Sequence, residues 1–156
     1  MGIERSEKIL KLQLEWVKTA DSKVPPLFAI NLAMLGLLAP LLKILLAWTI
    51  AAAIFSTIAV ILLSLSMIFL ALAIFPRLDG PKDSNVFFAG IAKQSEEKYK
   101  LNTLTTDEKE YENDILSQAY RNAEIANSKY FNLKLSFLFT FASILPWLAA
   151  VYFLYI

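Results

Sequence analysis

Residues 24–76 read VPPLFAINLAMLGLLAPLLKILLAWTIAAAIFSTIAVILLSLSMIFLALAIFP, and their one charged side chain is Lys43. Charge inside hydrocarbon is expensive, and a stretch this long with so little of it is what a bilayer imposes. One helical span needs about 20 residues, so the run holds two spans and a short turn. The turn is placed at Pro40 to Trp48, around the one charge. There Lys43 snorkels toward water and Trp48 suits an interface. Span one is then 26–43 and span two 48–75. Span two exceeds the bilayer requirement, so it tilts or extends beyond the lipid. Pro76 ends it.

Working outward, the rest of the chain follows the same segregation. The 156 residues are 57% hydrophobic and only 19% charged, with a mean hydropathy of +0.53. Soluble domains carry about 45–50% apolar and about 25% charged residues. The charges gather in residues 1–23 and 77–134, and residues 135–156 have none. A signal peptide fits the first apolar run poorly. The run is longer than the roughly 7–15 residues of such a segment, and no small-residue cleavage site follows it.

Residues 1–23 read as an amphipathic helix. Ile9, Leu12 and Trp16 recur at helical spacing, widened by Leu10, Leu14 and Val17. Glu4–Lys8 and Glu7–Lys11 are favourable i,i+4 pairs on the polar side. Val24-Pro25-Pro26 predicts a kink or a helix restart. After Pro76, Leu78-Asp79-Gly80-Pro81 predicts a turn. Residues 84–101 predict a short apolar element leading into a short helix. Thr105-Thr106-Asp107-Glu108 looks like a helix N-terminus with acids in its first turn.

From there to the C-terminus the pattern is continuous. Leu116, Ala119, Ala123, Ala126, Tyr130, Leu133, Phe137, Thr140, Ile144, Trp147 and Val151 alternate at 3 and 4 spacing and predict one apolar seam. The expectation is one helix over 106–155, crossing the membrane with 135–155. The fold class is therefore an all-α membrane protein with three transmembrane helices, a hairpin plus a long C-terminal helix. The expected parts are 1–23, 24–76, 77–134 and 135–156. Five Lys/Arg lie in the N-terminal segment and nine in 77–134. The positive-inside rule puts both in the cytoplasm and the C-terminus outside. Trp147, Tyr152 and Tyr155 then fit an outer aromatic belt.

Chemistry is sparse. There is no Cys and no His, and only four Gly. That removes thiolate chemistry, the commonest general base, the commonest metal ligand and any glycine-rich phosphate loop. Glu96/Glu97 and Asp107/Glu108 read as solvated helix starts. No catalytic residue, metal or cofactor is expected. A net charge of +1 gives no global pull toward nucleic acid. A proton or ion relay needs intramembrane ionisable groups, which are absent beyond Lys43.

Asn31 is the one strongly polar side chain of span one. It reads either as an interhelical hydrogen bond or as an oligomer or pore contact. Ala29/Ala33, Ala52/Ser56 and Ala119/Ala123 are pairs of small residues four apart that permit close helix approach, inside the protomer or between copies. On the long helix Gln118, Asn122, Lys129 and Asn132 share a face. With Asp21 and Lys23 before span one they form a candidate pocket for an anionic small ligand or a nucleotide base edge. The alternative is a solvated face with positive-inside lysines.

The order of motifs is specific to a family. Trp16-(x3)-Ala20-Asp21-(x)-Lys23 opens span one, with Asn31 inside it, and Pro76-Arg77-Leu78 closes span two. Asn85-(x)-Phe87-Phe88-(x)-Gly90-Ile91-Ala92-Lys93, Glu97-(x)-Tyr99 and Gln118-(x10)-Lys129-Tyr130 follow. The chain resembles the Pycsar transmembrane effector family of bacterial antiphage signalling systems, with Asp21, Lys23, Asn31, Phe87, Phe88, Gln118 and Lys129 as the motif matches. The resemblance implies a small inner-membrane protein activated by a cyclic nucleotide made during infection, which then compromises membrane integrity. Three helices per protomer are too few to enclose a polar pore, so a homo-oligomer is expected. A membrane scaffold that recruits a partner through 106–134 is the alternative.

Overall fold

The structure is a computed structural model that describes residues 2–44, 49–77, 79–81 and 84–155, with the side chains of 42–44 excepted. All regular structure among the described residues is helical: α1 (Ile3–Ser22), α2 (Val24–Ile44), α3 (Ile50–Ile74), α4 (Phe88–Ile91), α5 (Glu96–Thr105) and α6 (Glu108–Tyr155). Three stretches, Ile3–Leu41, Ile50–Ile74 and Glu108–Tyr155, are helices long and apolar enough to contain a membrane span.

The chain forms two compact units. One comprises Met1–Ala20 and Pro76–Ser128, and holds most of the charge. The other comprises Asp21–Phe75 and Lys129–Ile156 and is apolar.

Local chemistry explains the element ends. The helical pattern breaks at Lys23, and α2 restarts with Pro25 and Pro26 in its first turn. Proline is harmless there, because first-turn N–H groups have no intrahelical acceptor. Thr49 caps α3 by accepting the Ala52 amide at 3.1 Å. Pro76 follows the last α3 cap residue, Phe75. Asp107 Oδ1 accepts the Glu110 amide at 2.8 Å and so caps α6. α2 runs through Pro40 to Ile44, one residue beyond the expected end of span one at 43, so the first part of the expected turn is helical. Proline inside a membrane helix loses one backbone bond, here to the Gly36 carbonyl, and such a loss is tolerated where neighbouring helices and local adjustment compensate. The rest of the expected turn, 45–48 with Trp48, lies outside the described residues, as do Leu78, Ile156 and the Lys43 side chain.

The apolar unit is a three-helix bundle. Buried residues recur at 3 and 4 spacing on α3 (Ala52, Ser56, Ala59, Leu63, Ser66, Leu70, Ala73), and on α2 Val24, Leu27 and Asn31 do so, with Leu38 two turns further on. Phe55 stacks on Phe153 with ring centres 5.7 Å apart, and Phe69 stacks on Phe139 at 5.5 Å. α3 and α6 therefore run antiparallel. Leu38, Ala52, Ala59, Ala150 and Leu154 close one end of the core.

On α6 the buried face is not the apolar seam that the sequence predicts. Ala119, Ala126, Leu133 and Thr140 are shared, but Phe137 and Ile144 are exposed while Ser136 and Ser143 are fully buried. Lipid tails are as apolar as Leu or Phe, so in a bilayer large apolar residues gain little by turning inward. Small and hydroxyl side chains turn inward for close packing and hydrogen bonds. Ala52/Ser56 is buried in the protomer, whereas Ala29/Ala33 faces outward.

In the polar unit α1 buries Ser6 and Ala20, and leaves Leu12 and Trp16 of the predicted apolar face about half exposed, at 49% and 50%. Ser6 Oγ donates to Glu112 on α6 at 2.9 Å. Arg77 fastens the segment after α3 to α6, donating to the Ile125 carbonyl at 3.0 Å and to Ser128 Oγ at 2.6 Å.

Candidate functional site

Three polar loci stand out, one in the polar unit and two in the apolar unit. The polar unit contains a cavity of about 730 Å³. Small-molecule sites occupy about 300–1,000 Å³. Its walls come from α5, the first turns of α6, Pro81 and the 84–91 segment. Tyr99, Thr103 and Thr106 offer hydroxyls from one side. Tyr111, Asp114 and Ser117 line it from α6. Among the described residues that line it there is no Lys or Arg.

A hydrogen-bond network sets the shape of this cavity. Asp114 Oδ2 accepts the Asn85 amide at 2.8 Å. Asn102 Nδ2 donates to Gln94 Oε1 at 3.1 Å, and Gln94 Nε2 points at Asn85 Oδ1 from 3.5 Å. Ser84 Oγ accepts the Val86 and Phe87 amides at 3.1 and 2.9 Å, which fixes the entry to α4. Gly90 packs so closely here that a Cβ would stand 2.7 Å from the Ser84 carbonyl oxygen. Burial raises the Tyr111 phenol above its ordinary pKa, and the charge of Glu7 raises it further. The phenol therefore stays a neutral donor, 3.4 Å from Glu7 Oε1.

Gln118 and Asn122 belong to this unit. Gln118 is buried and its Nε2 reaches Ser84 Oγ at 3.3 Å, while Asn122 Nδ2 donates to the Gln118 carbonyl at 2.8 Å. Gln118 thus supports a residue of the cavity wall.

Asp21, Lys23 and Lys129 belong to the apolar unit. Lys129 Nζ donates to Asp21 Oδ1 at 2.5 Å, the lysine side chain being 8% exposed and the aspartate 41%. Lys23 Nζ lies 6.0 Å from the centre of the Tyr130 ring, a cation–π distance. The Lys129 charge is already matched, so an anion reaches it only by displacing Asp21.

The third locus is a hydroxyl cluster within the bundle. Asn31 is fully buried, and its Nδ2 donates to the Leu27 carbonyl at 2.8 Å and to Thr140 Oγ1 at 3.1 Å. Ser66 Oγ lies 2.7 Å from Ser136 Oγ and 2.8 Å from Thr140 Oγ1. Ser143 Oγ donates to the Thr140 carbonyl at 2.6 Å. One cluster therefore joins α2, α3 and α6. Trp147 Nε1 adds a second α6–α2 tie to the Met34 carbonyl at 2.9 Å.

The sequence reading missed Ser84, Asp114 and the Tyr99–Tyr111 cavity, because they meet only through tertiary contacts. It also missed Ser136 and Ser143, although hydroxyls at 136, 140 and 143 are spaced i, i+4, i+7. No group of His, Cys, Asp and Glu able to hold a metal ion occurs among the described residues.

Comparison with known proteins adds one match. The family model described as the Pycsar effector protein domain matches residues 5–156. No curated protein and no solved structure matches the chain.

Proposed function

Because the chain belongs to the Pycsar effector protein family, and so is a membrane effector of the Pycsar antiphage system, we propose that a cyclic nucleotide activates it and that it then impairs the inner membrane as a homo-oligomer. The observation that carries this reading is the cavity of about 730 Å³ in the polar unit, which is of mononucleotide size. Tyr99 and Tyr111 offer ring faces to a base. Asp114 and the hydroxyls of Thr103 and Thr106 offer hydrogen bonds to base and ribose edges. Among the described lining residues there are two carboxylates, Glu110 and Asp114, and no cation, so the phosphodiester charge would face away from them. Gln118 acts behind the wall through Ser84, and Asn122 braces Gln118. Asp21, Lys23 and Lys129 are charged groups that an anion would engage by opening the Asp21–Lys129 pair.

The coupling has a physical vehicle. α6 supplies Asp114 to the cavity wall and Ser136 and Thr140 to the hydroxyl cluster. A ligand that binds two arrangements of α6 with different affinity shifts the population between them by that difference.

A scaffold that recruits a partner is the second reading. As recruitment through 106–134, it is favoured by Tyr120 and Phe131 on α6, which stand 69% and 59% exposed. One experiment separates the two. Cells producing the chain with and without a nucleotide cyclase are stained with a dye that enters only leaky cells. Dye entry that requires both proteins, and is lost in Asp114→Asn and Tyr99→Ala, is the expected outcome. Intact cells in every case, with the protein present in the membrane fraction, would leave the scaffold reading standing.

A further inference from the structure

We infer that the hydroxyl face of α6, formed by Ser136, Thr140 and Ser143, lines a water-filled path across the membrane in the activated assembly, opposite hydroxyls supplied by α3. This rests on the proposed leakage by an oligomer and adds which side chains water and ions meet.

The argument starts from what a path needs. Apolar constrictions dewet and close, so conduction requires polar walls. Residues 24–41, 49–75 and 135–155 contain no Asp, Glu, Lys, Arg or His. Any polar wall must therefore come from hydroxyls and the Asn31 amide. On α6 the serine and threonine hydroxyls of 135–155 occupy one face, all at 5% exposure or less, while the phenols of Tyr152 and Tyr155 are exposed at the C-terminal end of the helix. The outward face carries Leu138, Phe141, Leu145 and Leu148, which are 52–77% exposed. A path walled by this face of α6 would meet only hydrocarbon from that helix.

α3 continues the polar line. Ser66 meets Ser136 and Thr140. Ser56, ten residues away and so about 15 Å along the same helix, has a buried Oγ with no hydrogen-bond partner among the described residues. A buried hydroxyl without a partner is a cost that the resting bundle does not recover. In a hydrated path water would satisfy it. In the resting protomer the Ser66–Ser136 contact shuts the line. Once parted, the walls carry no fixed charge, so small cations and anions both pass.

The chain has no cysteine, so single-cysteine variants of the full chain need no altered background. Ser136→Cys and Thr140→Cys, with Leu145→Cys as the lipid-facing control, are reconstituted in phospholipid vesicles. They are exposed to a water-soluble anionic methanethiosulfonate reagent while dye release is followed. Two triggers are applied separately: the cyclic mononucleotides of adenine, guanine, cytosine and uracil, and a raised protein-to-lipid ratio. The expected result is labelling at 136 and 140 that rises about tenfold or more with release, as when an open population grows from a few per cent to a majority. Labelling at 145 stays flat, and the attached anions shift the leak toward cations.

Release with 136 and 140 unlabelled would overturn the inference, and where a nucleotide triggers that release nucleotide activation still stands. Release and labelling driven by protein density but by no nucleotide would support the inference and overturn nucleotide activation. Absence of release under both triggers would overturn the inference, since no conducting path then forms.

Discussion

Lys129 is the nearly buried member of its charge pair with Asp21, and the asymmetry of that pair decides what each substitution does. The Lys129 side chain is 8% exposed and that of Asp21 41%. Asp21→Asn leaves an ammonium buried without a counter-charge, and removing one partner of a buried pair is the costly change. Lys129→Met leaves a carboxylate that water already reaches and fills the vacated volume with a side chain of similar length. Asp21→Asn should therefore cost about 2 kcal/mol, discounted for the exposure of the aspartate, and Lys129→Met should cost less than about 1 kcal/mol. Thermal unfolding in detergent checks the order, and equal losses would contradict the asymmetry. The motif residues at 21 and 129 were legible in the sequence. Their direct pairing across 108 positions was not, because helical periodicity says which face a residue occupies and nothing about what stands opposite. Gln118 was legible in the same partial way. Its amide was singled out, but its partner Ser84 was not.

At the scale of the helix, α6 shows how the bilayer changes the meaning of a pattern. The outward Leu145 is 77% exposed, whereas Ser136 is fully buried. Ser136→Ala and Thr140→Val should each cost about 0.6–2 kcal/mol of bundle stability, the range for interhelical hydrogen bonds in membranes. Leu145→Ala should cost less, since Leu145 has lipid rather than protein as its neighbour. Unfolding in mixed micelles measures both, and a greater loss for Leu145→Ala would show that α6 packs by its apolar face after all. The same scale applies to α4. Gly90→Ala forces the Ser84 backbone to move, because the new Cβ would sit 2.7 Å from its carbonyl oxygen. Such overpacking costs about 1–3 kcal/mol. Nucleotide binding by the purified full chain should weaken along with stability, measured by calorimetry, and wild-type affinity in Gly90→Ala would separate this turn from the cavity.

At the scale of the whole molecule, charge placement sets the expected topology. With five Lys/Arg before span one and nine in 77–134, reporter fusions should place the N-terminus in the cytoplasm and the C-terminus outside. A reporter active in the cytoplasm at both ends would contradict an odd number of crossings. Composition and its segregation determined the class of molecule. A low charge fraction, an apolar run too long for one span and an unbroken pattern from 106 onward specify three membrane helices, because the cost of burying charge acts on each residue separately and is readable in order along the chain. Several helix ends were legible for the same reason: Pro25, Pro26, Pro76 and the 105–108 run act on their own backbone neighbours, although the capping roles of Thr49 and Asp107 were not read. Only the tertiary structure decided which face of each helix turns inward, that Asn31, Ser66, Ser136 and Thr140 form one cluster, and that Asn85, Tyr99 and Asp114 meet around one cavity. Those facts depend on pairings between residues far apart in sequence. Inside a bilayer, hydrophobicity no longer distinguishes inside from outside, so the apolar pattern that located the spans gave no guide to their packing.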